Sequence, residues 1–160
     1  MEAVSKISLT EHVALITLRN SPSDMKFISR VFLKIADKGI NVDMISQTAP
    51  HGDLTDISFT VSDDSLGDVL AVLAGLRAEY PSIKTDVSGN NCKISLSGEK
   101  MMYLPGVAAK VFEVTANMGL DVRIITTSEI DISLLIPYAE YQSFSHAFED
   151  AFGMKIDTVG

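Results

Sequence analysis

A single cysteine, Cys92, excludes an internal disulfide. Only 10 glycines and 5 prolines occur in 160 residues, and 46% of the chain is hydrophobic, enough to bury a core without disulfide or metal staples. The chain is therefore globular and not disordered. Basic runs are missing too: 13 Lys and Arg stand against 21 Asp and Glu, a formal charge of −8, which argues against nucleic acid and anionic membrane as partners. The longest apolar run, residues 69–74, falls far short of the roughly 20 residues a bilayer span needs. Met1-Glu2-Ala3-Val4 has neither the basic nor the apolar segment of a secretory leader, so the expected compartment is cytoplasmic.

Catalytic equipment is equally scarce. His12, His51 and His146 are scattered and Cys92 is the single cysteine, so neither metal spacing nor a thiol pair is present. There is no G-x-x-x-x-G-K-[ST] and no G-x-G-x-x-G to cradle cofactor phosphates. No catalytic residues, metal or cofactor are expected in these residues.

What is present is a repeat. Val31-Phe32, Ala36 and Gly39-Ile40-Asn41-Val42 can be laid on Val111-Phe112, Ala116 and Gly119-Leu120-Asp121-Val122, an offset of 80 residues as from Val31 to Val111. Asp56-Ile57-Ser58 matches Asp131-Ile132-Ser133 at an offset of 75, so the second copy has lost residues in a loop. In the first copy, residues 13–18 read as a strand, 27–37 as a helix stopped by Gly39, and 40–48 as an alternating strand. A turn at Pro50-His51-Gly52-Asp53, a strand at 57–61, a helix at 65–79 and a short strand at 83–87 follow. The second copy gives the same order with strands at 93–96, 122–126, 130–136 and 154–158 and helices at 107–118 and 141–152. Ser88-Gly89-Asn90-Asn91 reads as the linker between the copies. Residues 4–9 read as an additional strand. Two βαββαβ units make an α+β fold of ferredoxin-like domains, antiparallel sheets with helices on one face.

The informative loops precede the first helix of each unit: Ser21-Pro22-Ser23-Asp24-Met25-Lys26-Phe27, and residues 99–106 ending in Pro105-Gly106. A loop feeding a helix N-terminus offers unpaired N–H groups that suit a carboxylate. Asp43, Gln47 and Thr48, or Thr127, Ser128 and Glu129, supply acceptors for an ammonium group. Each position also has a structural reading: a loop launching a helix, a solvated strand residue, a strand end closing a hairpin.

Pro105-Gly106-Val107-Ala108-Ala109-Lys110-Val111-Phe112, then Gly119-Leu120-Asp121-Val122 and Ile125-Thr126-Thr127-Ser128-Glu129-Ile130-Asp131-Ile132-Ser133, closely resembles the second ACT domain of aspartokinases. Ile40-Asn41-Val42-Asp43-Met44-Ile45-Ser46-Gln47-Thr48 with Thr55-Asp56-Ile57-Ser58-Phe59-Thr60-Val61 resembles the first. The resemblance implies a linker and extra strand at 1–11 that joins the second ACT sheet, a first ACT domain at 12–89 and a second at 90–160. It implies an allosteric region that senses lysine or threonine for feedback inhibition of the aspartate pathway. The family's kinase domain, which phosphorylates aspartate with ATP, is not among these residues. ATP and Mg are expected only there. Implied partners are L-lysine or L-threonine, a second copy in a homodimer through ACT–ACT contacts, and a kinase domain or catalytic subunit. Alternatives are a stand-alone ACT-pair regulator and a ligand-free dimerisation scaffold.

Carried over residue by residue, the effector loop falls on Ser23, Asp24, Met25, Lys26, Phe27 and Ile28, and the effector-contacting strand positions on Val42, Asp43, Gln47 and Thr48. Many members have Asp-x-Pro-Gly where this chain has Ser23-Asp24-Met25-Lys26. An aromatic at Phe27 and an acid at Asp43 resemble lysine-type members, which implies lysine ahead of threonine as the effector. In the second unit Tyr103-Leu104 replaces small or polar residues before Pro105-Gly106. The resemblance therefore implies the effector in the first unit, with Pro105, Gly106, Val107, Thr126, Thr127, Ser128 and Glu129 as partner surface.

Overall fold

Strand β1 (Lys6–Pro22) opens the computed structural model, which describes residues 3–159. Two compact units form, a first of His12–Gly89 and a second of Asn90–Gly160 with Met1–Glu11. Each has the βαββαβ order expected from the sequence.

In the first unit, residues 12–22 of β1 are followed by α1 (Met25–Asp37), β2 (Ile45–Gln47), β3 (Leu54–Ser62), α2 (Leu66–Glu79) and the start of β4 (Lys84–Ser97). β1 lies between β3 and β4, and β2 forms the edge beside β3. β1 and β3 pair antiparallel with Ala14 opposite Val61 and Leu18 opposite Ile57. Alternation sends Ala14, Ile16 and Leu18 to one face, where they meet Phe27, Val31 and Ile35 of α1 and Val69, Leu73 and Leu76 of α2. Each such large side chain contributes about 1.5–3 kcal/mol by leaving water. Arg30 and Glu79 join the two helices by two hydrogen bonds of 2.5 and 2.6 Å.

The strand expected at residues 40–48 is laddered only over Ile45–Gln47. The cause is Thr60. Asp43 N–H donates to the Thr60 carbonyl, Thr60 N–H donates to the Met44 carbonyl, and Met44 N–H donates to Thr60 Oγ1 at 2.9 Å. Two residues thus oppose one, a bulge that breaks the ladder.

The second unit comprises the rest of β4, α3 (Val107–Asn117), β5 (Ile124–Thr127), β6 (Asp131–Pro137), α4 (Tyr141–Phe152) and β7 (Ile156–Val159). β6 pairs antiparallel with β4, Ile94 opposite Leu134, and with β5, Thr126 opposite Ser133. The start of β1 pairs in parallel with β7, Ile7 opposite Ile156. Ile7, Leu9, Ile94, Leu96, Val111, Leu134, Phe144 and Phe148 form the core, with the rings of Phe144 and Phe148 stacked at 4.5 Å.

The chain does pass from one unit to the other within Ser88-Gly89-Asn90-Asn91, between Gly89 and Asn90, but as part of β4 and not as a loop. Asn90 takes φ of 57°, a left-handed conformation asparagine tolerates, and so absorbs the irregularity within the strand. Asn91 is buried opposite Pro137. Among the described residues no helix is long and apolar enough to cross a membrane.

Candidate functional site

α3 begins without a side-chain cap. Its N-cap is Gly106, at φ of 93°, where a side chain would be strained. The helix's first internal bond runs from Lys110 N–H to the Gly106 carbonyl at 3.0 Å. The N–H groups of Val107, Ala108 and Ala109 therefore have no acceptor within the helix, at the end where the helix dipole is positive. Gly106, Val107 and Ala108 form one wall of a cleft of about 270 Å³. Thr127, Ser128 and Glu129 form the opposite wall, and Met101, Leu104 and Ile132 supply apolar surface.

Local sequence explains these positions. A 3₁₀ segment, Glu99–Tyr103, buries Met101 beneath the loop and leaves Tyr103 77% exposed. After β5, Ser128 N–H donates to the Asp131 carbonyl at 2.8 Å and Ile130 N–H donates to Ser128 Oγ at 3.3 Å. This tight turn holds the exposed Glu129 at the cleft. The arrangement offers donors for an anion, a carboxylate and two hydroxyls for an ammonium, and apolar contact for a carbon stem. Pro105 and Thr126 adjoin the cleft in sequence but are not among its walls.

The corresponding helix in the first unit is closed by the chain itself. Asp24 is the N-cap of α1, and its Oδ1 accepts from Phe27 N–H at 2.9 Å. A carboxylate already occupies this helix end. Phe27 and Ile28 are buried, Phe27 edge-to-face with Tyr80 at 4.8 Å between ring centres. Met25 and Lys26 are exposed on the first turn, and Ser23 N–H donates to the Asp53 carbonyl at 2.9 Å. Val42 packs against the core, while Asp43 and Gln47 are exposed. Thr48 lines a separate cleft of about 220 Å³ with Asn20, His51, Leu54, Thr55 and Asp56, which residues 23–28 do not reach.

Sequence reasoning missed Leu104, Ala108 and Ile132 as cleft walls. It also missed the cap, although an Asp three residues ahead of a periodic apolar run is a helix-start signal. The groups with displaced ionisation lie outside the cleft. Hydrogen bonding from Arg30 holds the Glu79 carboxyl below its usual range and raises Arg30 in turn. Tyr141, then Glu11, push the Tyr138 hydroxyl up. Among the described residues no three His, Cys, Asp or Glu side chains gather as metal ligands.

Residues 94–152 match the ACT domain family. The aspartokinase of Bacillus sp. strain MGA3 is 31% identical over 158 residues, 98% of this chain but only 38% of that protein. The chain thus spans well under half of the length of that curated relative. The regulatory subunit of aspartate kinase from Thermus thermophilus, in its ligand-free form, superposes with a TM-score of 0.84 at 31% identity, covering 94% of this chain and 99% of that one. Aspartate kinase from Synechocystis superposes with a TM-score of 0.91 at 29% identity, covering 99% of this chain and 28% of that one.

Proposed function

Since the chain belongs to the aspartate kinase family, as a tandem ACT pair of the kind that forms its regulatory subunit, we propose that it binds L-threonine or L-lysine in the cleft of the second unit and so imposes feedback control on aspartate kinase activity. The observation that supports this reading is the uncapped N-terminus of α3 sharing one cleft with Glu129. The effector's carboxylate accepts from the N–H groups of the first turn, where a negative charge is also favoured by the helix dipole. Its ammonium donates to Glu129 and to the hydroxyls of Thr127 or Ser128. Its carbon stem rests on Met101, Leu104 and Ile132. Among the described residues Glu129 is the one carboxylate lining this cleft, which favours threonine, with a single ammonium, over lysine, with two. The first unit, whose helix end Asp24 fills, serves as a structural partner.

The signal acts on the catalytic part of an aspartate kinase. A second copy of the chain covers the exposed Ile45 and Ile125 on the edge strands β2 and β5. Binding changes activity only if the two arrangements of the assembly differ in affinity for the effector. Titration calorimetry with each amino acid is the direct test, with saturable heat expected at one ligand per chain. No heat from either at about millimolar concentration, equivalent to roughly 4 kcal/mol of binding free energy, would falsify the assignment.

A further inference from the structure

Residues 3–5 lie against the second unit just before β1 begins. Ala3 and Val4 are 1% and 3% exposed and belong to its core. Ser5 N–H donates to the Ser97 carbonyl at 2.8 Å, and Ser5 Oγ lies 3.3 Å from the same oxygen. Gly98 is what permits this approach. A Cβ at Gly98 would fall 1.9 Å from the Ala3 carbonyl oxygen and 3.1 Å from the Ser5 nitrogen, backbone atoms that no rotamer change can move aside. Its backbone is extended, so the demand is for space and not for unusual torsion.

Gly98 is also tied to both sides of the cleft. Its N–H donates to the carbonyl of Ile130, next to Glu129, at 2.9 Å. Its carbonyl accepts from Met101 N–H at 3.1 Å, and Met101 lines the cleft. A second cleft, of about 610 Å³, is bounded by Ala3, Val4, Ser5, Glu99 and Lys100. Residues 3–5 and the start of the 3₁₀ segment thus border open space on that side, while Ala3 and Val4 themselves stay packed in the core.

We infer that Gly98 is a positioning residue that couples occupancy of the cleft to residues 3–5, an inference that rests on the effector reading above. A ligand held between the α3 terminus and Glu129 restrains Met101 and Ile130. Through their two bonds it restrains Gly98, and through the close contact with Ala3 it steadies the Ser5–Ser97 bond. Only a ligand that favours this arrangement shifts the equilibrium, so protection of the Ser5 amide measures the coupling directly.

Hydrogen exchange read by mass spectrometry on the full chain, with and without saturating L-threonine or L-lysine, tests it. Peptides covering residues 98–107 and 3–9 are both expected to exchange several-fold more slowly with ligand, while peptides from α2 stay unchanged. If calorimetry gives heat and residues 3–9 do not slow, the coupling is overturned and the effector reading stands. If there is neither heat nor slowing, the effector reading falls and the coupling with it. In Gly98→Ala the ligand-dependent protection of residues 3–9 is expected to vanish. Its persistence in a folded Gly98→Ala protein overturns the role of Gly98, and if that variant does not fold, the exchange of the parent chain decides.

Discussion

Asp24→Ala and Glu129→Gln together ask which unit holds the effector. Asp24 caps α1 through one hydrogen bond of 2.9 Å to Phe27 N–H, and loss of such a cap costs about 1 kcal/mol. For a chain of this length that corresponds to a melting temperature lower by roughly 2–4 °C. The amino acid's dissociation constant is expected to stay within about twofold of the parent, because the affected helix end lies in the first unit. Glu129→Gln keeps the shape of the cleft but removes the charged acceptor of the ammonium. A hydrogen bond to a charged group is worth about 1.5–3 kcal/mol, and the exposure of Glu129 points to the lower end. The dissociation constant should then rise about tenfold, with little change in melting. Calorimetry and circular-dichroism melts on the two variants supply both readouts. A tenfold loss of affinity in Asp24→Ala, with Glu129→Gln binding like the parent, would refute the reasoning and return the effector to the loop at residues 23–28.

The remaining predictions concern stability. Arg30 holds the Glu79 carboxyl below its usual 4.5, so the pair stabilises the fold above about pH 4.5 and loses that contribution as pH falls through the lower folded value. Melts of Glu79→Gln and the parent should therefore differ slightly at neutral pH and draw together as the pH falls below the ordinary carboxylate range; a gap that is unchanged in acid contradicts the assignment. Thr60→Val removes the acceptor of Met44 N–H in a buried setting and should cost about 1–3 kcal/mol in urea unfolding, whereas a neutral result would mean that the bulge finds another partner for that N–H.

The fold class was legible because two signals agreed in both copies: apolar residues at helical spacing, as at Phe27, Val31 and Ile35, and alternating strands such as residues 57–61. Ser88-Gly89-Asn90-Asn91 misled because its residue types favour turns, while Asn90 accepts a left-handed conformation that lets a strand continue. Residues 40–44 misled in the opposite way: they alternate like a strand, but the Thr60 hydroxyl intercepts the ladder, and no pattern in one strand reveals a side chain on another. At the site, Gly106 and Glu129 stand out in the text. Asp24 also carried a helix-start signal, but which N–H its carboxylate takes depends on where that side chain points.

The pairing of Ile7 with Ile156 dictates when the second unit can close. Residues 6–11 are made before the whole of the first unit, whereas their neighbours on β7 are made only after the rest of the second. Contacts between such distant parts of a chain form slowly, because the closure entropy is spent before the pairing repays it. Until then the early strand presents unpaired N–H and C=O groups, a template for another chain. The first unit, complete once β4 has begun, can fold while the second still waits for its closing strand.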